Sequence, residues 1–95
     1  MAAYIVVDAT VTDPQQFQSY RELAQVAVTQ YGGRYLVRGG KTETLEGDWQ
    51  PKRLVIVEFP SVDEIRLFYD SPEYLAARAA RAKAADFAML VVEGA

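Results

Sequence analysis

The sequence contains no cysteine and no histidine among its 95 residues. Without cysteine there can be no disulfide bond, no thiolate metal site and no cysteine nucleophile. Without histidine the protein lacks the commonest metal ligand and the commonest general base near neutral pH. Any catalysis must proceed without these groups, and we expect neither a metal nor another cofactor.

Basic residues and long apolar segments are also scarce. The 10 lysines and arginines are outnumbered by 13 acidic residues, which gives a net charge of -3. Because sequence-independent binding to nucleic acid draws on clustered basic residues, we expect no nucleic-acid partner. The N-terminal stretch MAAYIVVDATV has no basic region before its apolar run and soon meets Asp8. It resembles neither a signal peptide nor a membrane span, so we expect a cytoplasmic protein without a membrane partner.

Hydrophobic residues, by contrast, make up 51% of the chain. A chain of this length is too short to divide into two parts that each bury a core, so we predict one domain over residues 1–95. So small a domain has a large surface for its volume and leaves much apolar area exposed unless a partner covers it. The composition therefore favours association.

The first half of the chain predicts a strand, a helix and a second strand. Residues Ala3–Val11 are mostly β-branched or aromatic, which suits a buried strand. Asp13 and Pro14 are typical of a helix start, and apolar residues then recur every three or four positions. Gly32 is expected to end this helix, and the second strand is predicted over Arg34–Arg38.

The second half predicts a long loop, a strand, a broken helix and a last strand. Ser61 and Ser71 each stand before residues typical of a helix start, so the second helix is expected to break and restart. The predicted segments are a loop over Gly39–Lys52 with a short edge segment at Thr42–Leu45, a strand over Arg53–Phe59, helices from Ser61 and over Pro72–Ala84, and a strand over Phe87–Glu93.

This order of elements, βαββαβ, is that of an α+β ferredoxin-like domain with a four-stranded antiparallel sheet and its helices on one face. Three strands carry apolar residues at consecutive positions, YIVV, LVIV and AMLVV, where half-exposed strands would alternate. The sheet face without helices therefore needs a cover, most simply the same sheet of a second copy. We predict a homodimer whose two sheets form a barrel-like sandwich.

Three segments resemble one known family: YLVRGG at Tyr35–Gly40, LEGDWQPKRLVIVEFPS at Leu45–Ser61, and SPEYLAARAAR at Ser71–Arg81. Together they are similar to the domain of unknown function 1330 family, a branch of the dimeric alpha-beta barrel superfamily. The resemblance implies the ferredoxin-like dimer and a cleft between helices and sheet, but no activity. Wider relatives include cofactor-free quinol monooxygenases, muconolactone isomerases and haem-degrading monooxygenases, whose usual axial histidine this sequence lacks.

Arg38 is the first candidate for a ligand-binding residue. It ends a predicted strand and precedes Gly39 and Gly40, which allow the backbone to bend or a ligand to approach closely. A guanidinium group can bind a carboxylate or phosphate through two hydrogen bonds. The structural alternative is an arginine that satisfies a buried acid or the carbonyl groups of the loop.

Glu58 and Asp8 are candidate catalytic residues because they are acids within apolar strands. Burial there would raise the pKa of a carboxyl group and suit a general base near neutral pH. The alternative is a structural ion pair with Arg34, Arg38 or Arg53, which would lower the pKa instead.

Aromatic residues supply the other candidates for ligand binding. Trp49 either covers a pocket or anchors the loop or the dimer interface. Tyr69, Tyr74 and Arg81 lie around the helix break and on the helix that follows it, where they could line a cleft. Alternatively the tyrosines belong to the core, and Arg81 together with Arg78 belongs to a solvated helix face.

Three interpretations of function remain open from the sequence. The leading one is a protein of unassigned function that binds a small anionic or aromatic metabolite through Arg38 and the aromatic residues. The second is a cofactor-independent monooxygenase or isomerase with Glu58 or Asp8 as base, Arg38 stabilising an enolate or carboxylate, and a tyrosine as donor. The third is a structural or interaction domain without catalysis.

Overall fold

A computed structural model describes residues 1–95 and has the predicted order of elements, with the second helix broken in two. The elements are β1 (Ala3–Val11), α1 (Pro14–Gln30), β2 (Arg34–Arg38), β3 (Leu54–Phe59), α2 (Val62–Tyr69), α3 (Pro72–Arg81) and β4 (Ala85–Glu93). No helix has both the length and the apolar character needed to cross a membrane.

The four strands form one antiparallel sheet in the order β2-β3-β1-β4. Alternate residues of β1 are buried, which places one set of its side chains against the helices. The core joins these side chains to α1, α2 and α3, through Ile5, Val7, Ala24, Ala27, Val28, Ile65, Phe68, Tyr74 and Ala77. The ferredoxin-like α+β fold predicted from the sequence is therefore confirmed.

Short polar side chains begin all three helices, as the sequence predicted. Asp13 accepts a hydrogen bond from the Gln16 N–H at 3.1 Å, and Ser61 accepts one from the Glu64 N–H at 3.2 Å. Ser71 Oγ accepts from the Tyr74 N–H at 3.1 Å and donates to the Phe68 carbonyl at 2.7 Å. Ser71 therefore links the end of α2 to the start of α3 and fixes where Tyr74 enters the core.

Some predicted boundaries and one predicted segment are wrong. Helix α3 ends at Arg81, not Ala84, and β4 begins at Ala85, not Phe87. The reason is that the Ala84 carbonyl accepts hydrogen bonds from the N–H groups of Thr12 and Asp13, which draws this segment to the end of β1. Strand β3 begins at Leu54, one residue later than predicted.

The short edge segment considered at Thr42–Leu45 does not form, and Thr44 instead contacts a later residue of its own loop. The later part of this loop runs to β1, where Asp8 Oδ1 accepts a hydrogen bond from the Lys52 N–H at 3.0 Å. Thr44 Oγ1 donates to the Trp49 carbonyl at 2.7 Å within the loop. The loop is thus held by side-chain hydrogen bonds and adds no strand to the sheet.

The second face of the sheet carries no helix and exposes apolar side chains. Val6 of β1 pairs with Ile56 of β3 on one side and with Leu90 of β4 on the other. Leu90 and Val92 are 57% and 45% exposed. We call the residues Val6, Leu54, Ile56, Leu90 and Val92 the open sheet face.

Candidate functional site

A narrow cleft that opens to solvent lies between the helices and the sheet. We call it the helix–sheet cleft. Its walls are mainly apolar, as is usual for sites that bind small molecules. The sheet contributes Ile5, Val7, Ala9, Val55, Val57 and Met89, and the helices contribute Phe17, Tyr20, Ala24, Val28, Phe68 and Tyr74.

Three arginines line the same cleft: Arg21 from α1, Arg38 from the end of β2 and Arg53 from the residue before β3. None of them has an acidic partner, since the one ion pair of the protein joins Arg34 to Glu58. No carboxylate lines the cleft either. We call Arg21, Arg38 and Arg53 the arginine cluster.

Arg38 is held in place by neutral groups. Its Nη1 donates to Gln25 Oε1 at 2.9 Å and its Nη2 donates to the Arg21 carbonyl at 3.5 Å. Its guanidinium carbon lies 4.2 Å from the centre of the Tyr35 ring, close enough for a cation–π contact. The positive charge of Arg38 is therefore oriented without being neutralised.

Arg53 owes its position to Gly39. The backbone of Gly39 has a φ of +74°, and its N–H donates to the Leu54 carbonyl at 2.8 Å. A Cβ atom at this residue would overlap Nη1 of Arg53. Burial lowers the pKa of Arg53, and the neighbouring charges of Arg21 and Arg38 lower it further. Gly39 thus makes room for a side chain of the protein itself, where the sequence suggested room for a ligand.

A pair of tyrosines forms a polar point within the apolar part of the cleft. The hydroxyl oxygens of Tyr20 and Tyr74 are 2.8 Å apart, and the two rings meet edge to face. Tyr74 is 1% exposed. Burial, followed by the Tyr74 neighbour, raises the pKa of Tyr20, and burial also raises the pKa of Tyr35. Tyr20 and Tyr35 therefore keep their protons at neutral pH.

The structure places the predicted ligand residues in different surroundings. Arg38 and Tyr74 line the cleft together. Arg81 lies beside it, with its guanidinium carbon 4.0 Å from the centre of the Phe87 ring and its buried Nε atom without a hydrogen-bond partner. Tyr69 lies outside the cleft, where Arg78 stacks on its ring at 4.4 Å.

Asp8 and Glu58, the candidate bases, lie on the opposite side of the sheet from the cleft. Glu58 accepts hydrogen bonds from Arg34 Nε at 2.7 Å and from the Tyr4 hydroxyl at 3.2 Å. Asp8 accepts one from Trp49 Nε1 at 3.1 Å. The expectation of a raised pKa is wrong for Asp8: this hydrogen bond is the largest cause of a pKa below the ordinary 3.8.

Trp49 anchors the long loop to β1 through this hydrogen bond to Asp8. Its ring is largely exposed, and it takes no part in lining the helix–sheet cleft. Of the two alternatives weighed for this residue, the contacts within the chain fit an anchor for the loop and give no support to a cover over the cleft.

Replacing Trp49 by phenylalanine is expected to raise the pKa of Asp8 towards 3.8, because the indole N–H that favours the carboxylate is removed. Because the pKa of Asp8 is lower in the folded state than in the unfolded state, its carboxylate stabilises the fold at pH values above 3.8. This stabilisation is lost as the pH falls through the folded-state pKa. A carbon-13 NMR titration of the Asp8 carboxyl group measures the change. Tyr4→Phe, which alters only the contact to Glu58, is the control. An Asp8 pKa that Trp49→Phe leaves unchanged contradicts the assignment.

Comparison with known proteins places the chain in a family. The sequence model described as "Domain of unknown function (DUF1330)" matches residues 2–95. The chain belongs to the DUF1330 family. The resemblance noted in the sequence is thereby confirmed. No protein with a curated description matches this DUF1330 chain.

Solved structures share the fold of this DUF1330 protein at low sequence identity. A protein of unknown function from Rhodopseudomonas palustris is 17% identical with a TM-score of 0.81, over 99% of this chain and 82% of that one. SnoaB, a cofactor-independent oxygenase from Streptomyces nogalater, is 14% identical with a TM-score of 0.68, over 99% and 93%. A dimeric protein of unknown function and ferredoxin-like fold from Bacteroides fragilis is 14% identical with a TM-score of 0.64, over 98% and 96%. At such identities the likeness concerns the fold alone.

Four of the six cleft residues with polar side-chain groups were not predicted as site residues from the sequence: Arg21, Arg53, Tyr20 and Tyr35. Tyr20 fits the apolar pattern of α1 and Arg21 lies next to it among the polar positions of that helix, so neither stands out from the sequence. Arg53 was considered only as a possible ion-pair partner of Glu58 or Asp8, not as a cleft residue. The spacing of Tyr20 and Arg21 carries no signal that either meets Arg38.

Proposed function

We propose that this DUF1330 protein binds a small metabolite with an anionic group and an apolar or aromatic body in the helix–sheet cleft. The observation that carries the proposal is the arginine cluster, three guanidinium groups without an acidic partner at the side of an apolar cleft. An anionic group would lie against the arginines, and the apolar body would pack against the walls.

Electrostatics explains why an anion suits this place. Burial is the largest cause of the lowered pKa of Arg53, and repulsion from the charges of Arg21 and Arg38 lowers that pKa further. A bound carboxylate relieves this repulsion and accepts charge-assisted hydrogen bonds, which are stronger than neutral ones. Because Gln25 and Tyr35 already orient Arg38, little side-chain entropy remains to be lost on binding.

Ligand binding is better supported than catalysis by an acidic base. Asp8 and Glu58 are both engaged in hydrogen bonds on the other side of the sheet, and Glu58 is also in an ion pair. Neither can reach a molecule within the helix–sheet cleft. A purely structural role is less well supported too, since the cleft is open to solvent and has three arginines among its lining residues.

Replacing Arg38 by glutamine is expected to weaken the binding of benzoate, used as a simple aromatic carboxylate. Hydrogen bonds to charged groups contribute about 1.5–3 kcal/mol, so the dissociation constant should rise about 10- to 100-fold. Calorimetric titration measures it, and in wild type benzoate should also raise the melting temperature. Arg66→Gln, which changes an exposed arginine of α2 away from the cleft, is the matched control. Equal affinities of wild type and Arg38→Gln would exclude a role for Arg38 in binding.

We also propose that the chain forms a homodimer through the open sheet face. Exposed apolar residues such as Leu90 and Val92 on a sheet without a second cover support this arrangement. The similar protein from Bacteroides fragilis is described as dimeric. Two copies packed face to face would bury both open faces under one two-fold axis.

A further inference from the structure

The Tyr20–Tyr74 pair in the cleft has one O–H group that finds no hydrogen-bond acceptor within the chain. Two neutral hydroxyl groups carry two O–H protons, and the bond between Tyr20 and Tyr74 uses one of them. Neither hydroxyl makes another hydrogen bond within the chain. Whichever oxygen donates in the pair, the O–H proton of the other is left without an acceptor.

The Tyr20 hydroxyl of this pair keeps its proton at neutral pH. Burial raises the pKa of Tyr20, and Tyr74 next to it raises it further, so ionisation does not remove the second proton at neutral pH. Buried donors in native proteins nearly always have an acceptor, because an unsatisfied donor is costly. Tyr74 is 1% exposed and both tyrosines line the helix–sheet cleft, so a molecule bound there is well placed to accept this proton.

We propose that the ligand is a carbonyl-bearing carboxylate, with the carboxylate at the arginine cluster and a neutral carbonyl oxygen accepting the free proton of the Tyr20–Tyr74 pair. This inference rests on the proposed function and adds the second oxygen of the ligand. The ligand would be an oxo acid in which an apolar body joins the carboxylate to the carbonyl group.

The surroundings of the pair favour a carbonyl over other acceptors. A second carboxylate would lose its hydration against Phe17, Phe68 and Phe87, and the cation nearest the pair, Arg81, is already engaged with the Phe87 ring at 4.0 Å. A hydroxyl group on the ligand would accept the free proton but bring another O–H that needs an acceptor of its own. A carbonyl oxygen accepts the free O–H of the pair and adds no donor that would need an acceptor of its own.

Two pairs of probes of matched shape test the proposal: 4-acetylbenzoate against 4-isopropylbenzoate, and the same two groups at the 3-position. In each pair a methyl group replaces the carbonyl oxygen. For at least one pair, wild type is expected to prefer the acetyl compound by about tenfold in dissociation constant, the effect of leaving one buried donor unsatisfied. Isothermal titration calorimetry measures the four constants.

The double variant Tyr20→Phe/Tyr74→Phe supplies the comparison. Removing both hydroxyls leaves no unpaired group, so the variant should fold, as circular dichroism can establish. Its preference for the acetyl compound over the isopropyl compound should be about tenfold smaller than that of wild type. Tyr20→Phe alone keeps the Tyr74 hydroxyl as a donor, and the preference should persist.

The outcomes separate this inference from the proposed function. If benzoate binds but the acetyl preference is the same in wild type and in the double variant, the carbonyl is wrong and anion binding stands. If none of the carboxylates binds wild type, the proposed function fails and the inference fails with it. A wild type that binds both isopropyl compounds at least as tightly as their acetyl partners overturns the inference, whether or not the double variant folds.

Discussion

Replacing Ile56 by aspartate is expected to turn the proposed homodimer into a monomer. Ile56 lies in the middle of the open sheet face, beside Val6 of β1 and Val37 of β2. A carboxylate there would lose its water on association without gaining a partner, which costs several kcal/mol. The dissociation constant of the dimer should therefore rise by more than about 1,000-fold.

Light scattering after size-exclusion chromatography at micromolar concentration measures the change in mass. Leu67→Asp is the matched control, because Leu67 is an exposed leucine on α2 and lies outside the open sheet face. This control should keep the mass of wild type. A monomeric wild type, or a dimer that survives Ile56→Asp, would show that the open sheet face does not mediate self-association.

Replacing Phe68 by alanine is expected to lower the free energy of unfolding by about 3–5 kcal/mol. Phe68 is 2% exposed, and its ring centre lies 4.4 Å from that of Tyr74 and 5.1 Å from that of Phe59. The substitution removes the apolar contacts of a whole ring and leaves a cavity at the wall of the cleft. For a domain with a total stability of about 5–15 kcal/mol, such a loss is severe.

Urea denaturation at one fixed protein concentration measures this loss, since association also contributes to apparent stability. Leu75→Ala on the exposed side of α3 is the control and should change the free energy of unfolding by less than about 0.5 kcal/mol. A loss of less than 1 kcal/mol on Phe68→Ala, far below the about 3 kcal/mol expected, would mean that the core does not depend on this ring.

The elements of the fold could be predicted from the sequence because their signals are local. Asp13, Ser61 and Ser71 each cap a helix through a hydrogen bond three residues along the chain. The break between α2 and α3 follows from Ser71 and Pro72 in the same way. The end of α3 and the start of β4 were predicted wrongly because their cause is distant in the sequence. The Ala84 carbonyl accepts a hydrogen bond from the Thr12 N–H, and no local pattern reveals this contact.

The candidate site was harder to predict because its contacts join residues far apart in the sequence. Tyr20 and Tyr74 meet across 54 positions, and Arg38 reaches Gln25 across 13. The sequence identified Arg38 and Tyr74 from their local settings, but their neighbours Arg21 and Arg53 depend on how α1 packs over the sheet.

The candidate bases Asp8 and Glu58 show a different limit of prediction from the sequence. A period of two places successive side chains on opposite faces of a strand, but the sequence does not say which face meets the helices. Asp8 falls on the face away from the cleft, and its partner Trp49 stands 41 positions away. Whether burial or a hydrogen bond controls its pKa could not be decided before that partner was known.

Strand β1 forms the boundary between the two surfaces of the protein. Ile5 and Val7 belong to the wall of the cleft, while Val6 belongs to the open sheet face. Point substitutions in β1 can therefore alter one surface at a time during evolution, odd positions acting on the cleft and even positions on the open sheet face. A one-residue insertion or deletion that shifts the register of β1 would exchange the two sets together and turn Asp8 towards the arginines. Changes of chain length should for this reason be confined to the loops around the strand.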